Sequence, residues 1–143
     1  MKELDWHDYY DAEQPLIYIA GPYSAPTEIG ILDNIRKACE ARDRLIEHGW
    51  AVVCPHANTA NMDNTNPGIY YRMDLALLAR CNAIYMLKDW ENSAGAMMEF
   101  VFSTESKSRD RIVVYLQSHK IPSIEDYRNR VRILTVVRDS LNP

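Results

Sequence analysis

Residues 16–24 read LIYIAGPYS. The short apolar run, with two isoleucines and a tyrosine, stops at Gly21-Pro22, the pattern of a buried strand ending in a loop. Downstream, Asp33 opens NIRKACEARDRLIEHG, where Ile35, Ala38, Cys39, Arg42, Leu45 and Ile46 form a mostly apolar stripe at helical spacing and Gly49 ends it. The alternation then continues. WAVVC, 50–54, is a second strand stopped by Pro55, and a long Asn-rich loop, HANTANMDNTNPG, follows. Residues 69–80, IYYRMDLALLAR, are helical in composition, and CNAIYMLK, 81–88, is a third strand. A helix from Ala94 to about Lys107 and the strand RIVVYL, 111–116, complete the pattern.

Strands separated by helices require crossover connections, which imply a parallel sheet with helices on both faces. The expected fold is therefore a single α/β domain, Rossmann-like or flavodoxin-like, with about four to five strands. It spans 16–116, after an N-terminal extension at 1–15 and before a helical tail at 117–143. In the tail, Ser123 and Asp126 of PSIED make a capping-box start for a helix reaching Leu141, which packs on the domain or on a second subunit.

The chain's 143 residues suffice for one core, and 47% hydrophobic with 25% charged residues is an ordinary globular composition. A net charge of −4 supplies no broad positive field, which argues against nucleic acid polymers as partners. No apolar run approaches the roughly 20 residues of a membrane span. The start, MKELDWHDYYDAEQP, is acidic and aromatic where a signal peptide is basic and then apolar, so a cytoplasmic location is expected. Cys39, Cys54 and Cys81 are scattered and read as packing residues in a reducing compartment. Cys54-Pro55-His56 is the nearest approach to a metal pattern but lacks a second ligand pair, so neither metal nor cofactor is expected.

In open parallel sheets, ligands bind where strand ends pass into helix N-termini. The residues that follow Ala20, Cys54 and Leu87 are accordingly the ones to inspect. Gly21 offers close backbone approach and Ser24 a small hydroxyl; the same residues also serve any turn. His56 and Asn58 follow the second strand, either as ligand-facing groups or as partners of the loop backbone. Ser93 is a good N-cap, and with Gly95 it leaves free N–H groups at a helix N-terminus, where an anion is favoured. Glu99 lies six residues beyond Ser93 among Met97, Met98, Phe100 and Val101. It is either an exposed helical glutamate or an inward carboxylate whose reactivity is set by poor solvation. Asp74, at helical spacing from Tyr70 and Tyr71, is either a solvated charge or a directed one.

Taken together, IYIAGPYS, GWAVVCPHANT, YYRMDLALLARCNAIYML and WENSAGAMMEF resemble the nucleoside 2-deoxyribosyltransferase-like superfamily over about 16–116. The superfamily includes 2′-deoxynucleoside 5′-phosphate N-hydrolases and an uncharacterised, often phage-borne branch that this sequence looks most like. The resemblance implies that Glu99 is the nucleophile attacking C1′ of the sugar, that Asp74 assists proton transfer to the leaving base, and that Tyr18 orients the nucleophile. It makes Gly21, Ser24, His56, Tyr71, Ser93 and Gly95 substrate contacts. Serine at position 93, where the transferases tend to carry an acid, implies a 5′-monophosphate. The GPYSAP loop lacks the arginine expected of the hydrolases, which leaves Arg36, Lys37 or Arg72 to supply a cation. The implied activity is N-glycosidic cleavage of a (deoxy)nucleoside 5′-monophosphate; a deoxyribosyltransferase and a non-catalytic nucleotide sensor are the alternatives. A homodimer or higher homo-oligomer is the expected assembly.

Overall fold

The computed structural model describes residues 3–58, 66–105, 112–118 and 120–141. Leu16–Ala20 forms β1, and its alternation divides the core into two halves. Ile17 and Ile19 pack on one face of the sheet, against Ala38, Ala41 and Leu45 of helix α1, Glu28–Glu47. Tyr18 and Ala20 pack on the other, with Leu78 of α3, Pro67–Leu78, and Ala96 of α4, Ala94–Glu105. Every one of these four strand side chains is at most 1% exposed. At roughly 1.5–3 kcal/mol for a fully buried large apolar side chain, β1 is the centre of the fold.

The remaining strands are β2, Ala51–Val53, β3, Ala83–Met86, and β4, Val113–Leu116. All four are parallel in the order β2-β1-β3-β4, with Tyr18 opposite both Val53 and Ile84. Strand order therefore reverses between β1 and β3, and the loops leaving these two strands flank the crevice in which such sheets bind ligands. A short helix α2, Pro55–Asn58, follows β2, and α5, Ile124–Leu141, closes the described chain.

Several boundaries differ from the sequence reading. Helix α1 starts at Glu28, where the Thr27 hydroxyl accepts the Gly30 N–H at 3.0 Å, and not at Asp33. Ile29 and Leu32 in its first turns are 80% and 64% exposed, so the apolar residues there do not continue the buried stripe. That stripe runs through Ala41, and Ile46, counted in it from spacing, is 52% exposed. The Asn-rich loop begins with α2, while 59–65 lie outside the described residues, as do Lys107 and Arg111 at the expected ends of a helix and a strand.

Two glycines explain how the ends meet. Gly49 has φ +100°, which side chains rarely adopt, and it turns the chain from α1 into β2 with Ile124 of α5 seated against it. There the capping box of α5 forms, the Ser123 N–H donating to Asp126 Oδ2 at 3.2 Å and the Asp126 N–H donating to Ser123 Oγ at 3.1 Å. Trp50 fixes the same corner: its buried indole N–H donates to the Pro122 carbonyl at 2.8 Å. Gly21 serves close approach. A Cβ there would lie 2.7 Å from Leu87 Cβ, because the loops after β1 and β3 touch. Gly21→Ala is thus expected to cost about 1–3 kcal/mol by overpacking the buried Leu87, read as a lowered thermal midpoint with the α/β circular dichroism spectrum retained.

Candidate active site

A cavity of about 510 Å³ opens at this strand reversal on the α3/α4 face. Four segments build it: Gly21 to Ser24 after β1, His56 in α2, Tyr70, Tyr71 and Asp74 on α3, and Asn92 to Glu99 leading into α4. Eight of the nine residues singled out from sequence line it: Gly21, Ser24, His56, Tyr71, Asp74, Ser93, Gly95 and Glu99. The ninth, Tyr18, is fully buried in the core below.

Local structure aims these groups. Ser93 Oγ accepts the Ala96 N–H at 3.2 Å, the cap expected from its sequence position, and this sets the start of α4 at the cavity wall. Two turns into α4, Glu99 comes from the same helix. Its backbone carbonyl accepts the Ser103 hydroxyl at 2.8 Å while its carboxyl faces the cavity. Gly95 brings α4 close to α3, since a Cβ at this position would stand 3.5 Å from the Tyr71 ring. His56 is 5% exposed, and its Nε2 lies 3.0 Å from the Pro22 carbonyl. A carbonyl only accepts, so Nε2 carries the proton and Nδ1 is left as a buried acceptor without a protein partner among the described residues. Burial also lowers the His56 pKa, keeping the ring neutral.

The carboxyls are held in unusual states. Burial is the main cause that brings Glu99 to about 7; the Tyr18 hydroxyl acts downward on it and the Asp74 charge upward. Asp74 is brought to about 6 by burial. Tyr18 is pushed far up by burial first and by the Glu99 charge second, so its phenol stays protonated. The Tyr18 hydroxyl is near enough to influence Glu99, yet neither it nor Asp74 Oδ1 has a partner of ordinary hydrogen-bond geometry among the described residues. Buried polar atoms without partners are costly, and two of them, His56 Nδ1 and Asp74 Oδ1, belong to residues that line this one cavity.

This arrangement makes stability pH-dependent with a definite sign. Both carboxyls hold their protons more tightly folded than unfolded, where the values are roughly 4. Their contribution is fully present below about pH 4 and is lost as pH rises through about 6 and 7. Glu99→Gln removes one of the two costs. We expect it to be more stable than wild type by about 1–3 kcal/mol at pH 8, with the difference shrinking towards pH 4, as measured by thermal unfolding across that range.

Sequence reasoning missed Tyr23 and Asn92 in the cavity wall. Tyr23 packs its ring 5.9 Å from that of His56, a contact between two loops that no local pattern announces. Asn92 adjoins Ser93 in a 3₁₀ turn, and its place next to a helix cap was the available signal. The cations proposed for a phosphate do not line this cavity. Arg36 is held by Asp33 and Glu40, Lys37 bridges to Asp33 at 3.0 Å, and Arg72 is exposed outside the lining. No lysine or arginine among the described residues lines the cavity. Nor do the described residues include a cluster of three His, Cys, Asp or Glu suited to a metal. No described helix is long and apolar enough to cross a membrane.

The molecule is thus a parallel α/β domain with two carboxyls in its strand-reversal crevice, the place where sheets of this kind bind ligands. The chain belongs to the family described as domain of unknown function DUF4406, whose model matches residues 15–114. It is also similar to a solved structure of a 2-deoxyribosyltransferase from the psychrotolerant bacterium Bacillus psychrosaccharolyticus. That similarity has 13% identity and a TM-score of 0.45, over 78% of this chain and 79% of that one. No curated protein matches the chain.

Proposed function

We propose that the protein cleaves the N-glycosidic bond of a (deoxy)nucleoside 5′-monophosphate through a covalent glycosyl-Glu99 intermediate. The observation that carries the reading is the pairing of Glu99 and Asp74 in one cavity, near enough that the charge of Asp74 raises the pKa of Glu99. Pairs of carboxyls with perturbed and coupled titration are the machinery of glycosyl transfer.

In the first step a Glu99 carboxylate oxygen attacks C1′ and the C1′–N bond breaks. Its electron pair leaves with the base, which takes a proton from Asp74. In the second step water attacks C1′, the ester bond to Glu99 breaks, and the water's proton returns to Asp74. The protonated Tyr18 phenol lies under Glu99 and orients it. The Ser93 hydroxyl and the open N-terminus of α4 face the 5′ group of the sugar, with Ser24 and the Gly21 backbone opposite. Tyr71 and His56 form the remaining contacts with the substrate.

A second reading is favoured by the cation-free lining: a 5′-hydroxyl nucleoside, with a second base in place of water, would make the protein a deoxyribosyltransferase. One assay separates the two. Nucleosides and their 5′-monophosphates are incubated with the protein, with and without an acceptor base, and free base is resolved chromatographically. Release from monophosphates without an acceptor supports the hydrolase, whereas exchange dependent on the acceptor and indifferent to phosphate supports the transferase. Binding without either reaction across the panel would sink both readings and leave a nucleotide sensor. The exposed Ile69 and Met73 on α3, with Met97 and Val101 on α4, favour the expected homodimer through this face.

A further inference from the structure

The strand-reversal crevice opens on both faces of the sheet. Behind the loop after β1, on the α1 side, lies a second cavity of about 590 Å³, and Pro22 borders both. Its chemistry is the opposite of the first. Three cations stand around it: Lys37 and Arg44 from α1, and Lys88 from the loop after β3. Lys37 is shared with Asp33, but Arg44 and Lys88 make no ion pair among the described residues. Two carboxylates also line the cavity. Glu40 is already engaged by Arg36, which leaves Asp89 as the one lining carboxylate with no ion pair among the described residues.

Neutral donors accompany the charges. Gln117, just past β4, accepts the Lys88 N–H on its side-chain oxygen at 2.7 Å, which fixes the carboxamide and leaves its NH₂ to donate. Beneath the floor, Tyr85 packs in the same core cluster as Ala41, Leu87 and Ile121, which line the cavity. It is fully buried, its hydroxyl has no partner among the described residues, and the charge of Arg44 reaches it. Unneutralised cations from two different elements, an oriented amide donor and a preformed hollow at the carboxyl ends of β3 and β4 make an anion receptor.

We infer that this second cavity binds a small polyanion of the phosphate class, a pyrophosphate or the diphosphate of a nucleotide, with Arg44, Lys88 and Lys37 as its cations. The assignment does not depend on the glycosidase reading, because it uses none of the groups of the first cavity. Isothermal titration of the full chain with inorganic pyrophosphate, and in parallel with a nucleoside diphosphate, tests it. For pyrophosphate one saturable site is expected, weakened by about tenfold in Arg44→Gln and again in Lys88→Gln, and weakened further by salt. Ser93→Ala, in the other cavity, should leave it unchanged. Tighter binding of the nucleotide assigns the diphosphate to an ester, and equal binding assigns it to the free anion. Both side chains to be replaced are exposed, and an unchanged thermal midpoint checks that each variant folds. No saturation by about 10 mM, affinity indifferent to Arg44→Gln and Lys88→Gln, or affinity lost in Ser93→Ala overturns the assignment.

Discussion

Glu99→Gln is expected to reduce base release by at least about a thousandfold, in line with the ~10⁴–10⁶-fold losses that follow removal of a nucleophile or its base elsewhere. Glutamine keeps the size of the side chain but offers an amide oxygen that does not form the glycosyl ester. The loss should fall on kcat, since the wall of the cavity is otherwise intact. The same substitution is expected to raise the thermal midpoint at pH 8, because Glu99 is held near 7 chiefly by burial. Lower activity together with higher stability separates removal of a functional carboxylate from general damage, which would lower both. A variant that turned over as well as wild type would remove Glu99 from the chemistry and the glycosidase reading with it.

Asp74→Asn should lower kcat by about 10²–10⁴-fold, the range for loss of a general acid. Its pH profile is the more specific readout. The proposed cleavage needs Glu99 ionised and Asp74 protonated, with the pair titrating at about 7 and about 6. The free protein should therefore show a narrow bell in kcat/KM centred between those values, whose limbs belong to the pair and not to either residue. Asparagine removes the alkaline limb. It also removes the charge that raises Glu99, so a single acid limb should remain, set by Glu99 alone and lying below about 7. An alkaline limb that persists in Asp74→Asn would assign the proton donor to another group.

The parts of the fold that were readable from sequence share a physical cause. LIYIA and AIYM are apolar runs between chain breakers, and a parallel strand buried on both faces has no other way to look. The start of α1 was hidden because Ile29 and Leu32 point to solvent and Gly30 interrupts the turn, so composition argued against a helix that Thr27 nonetheless caps. Four-residue α2 is too short to show a period. For the site, the strand-end rule led to Gly21, His56 and Ser93 because backbone topology alone places them. It did not show that Arg36 spends its charge on Asp33 and Glu40, or that Lys37 belongs to the opposite cavity, since side-chain direction on an exposed helix leaves no trace in the sequence. Tyr23 escaped for a related reason: its neighbour His56 is remote along the chain.

The division of β1 into two faces has a practical consequence. Helix α5 rests with α1 on the Ile17 and Ile19 side, anchored through Ile124, Tyr127 and Val131, whereas Asp74 and Glu99 belong to the Tyr18 side. The sheet lies between them as a partition. A fluorophore, a purification handle or a surface tether joined beyond Leu141 would sit on the side of the sheet away from the carboxyl cleft, so the protein could be immobilised by its back while candidate ligands are screened at its front.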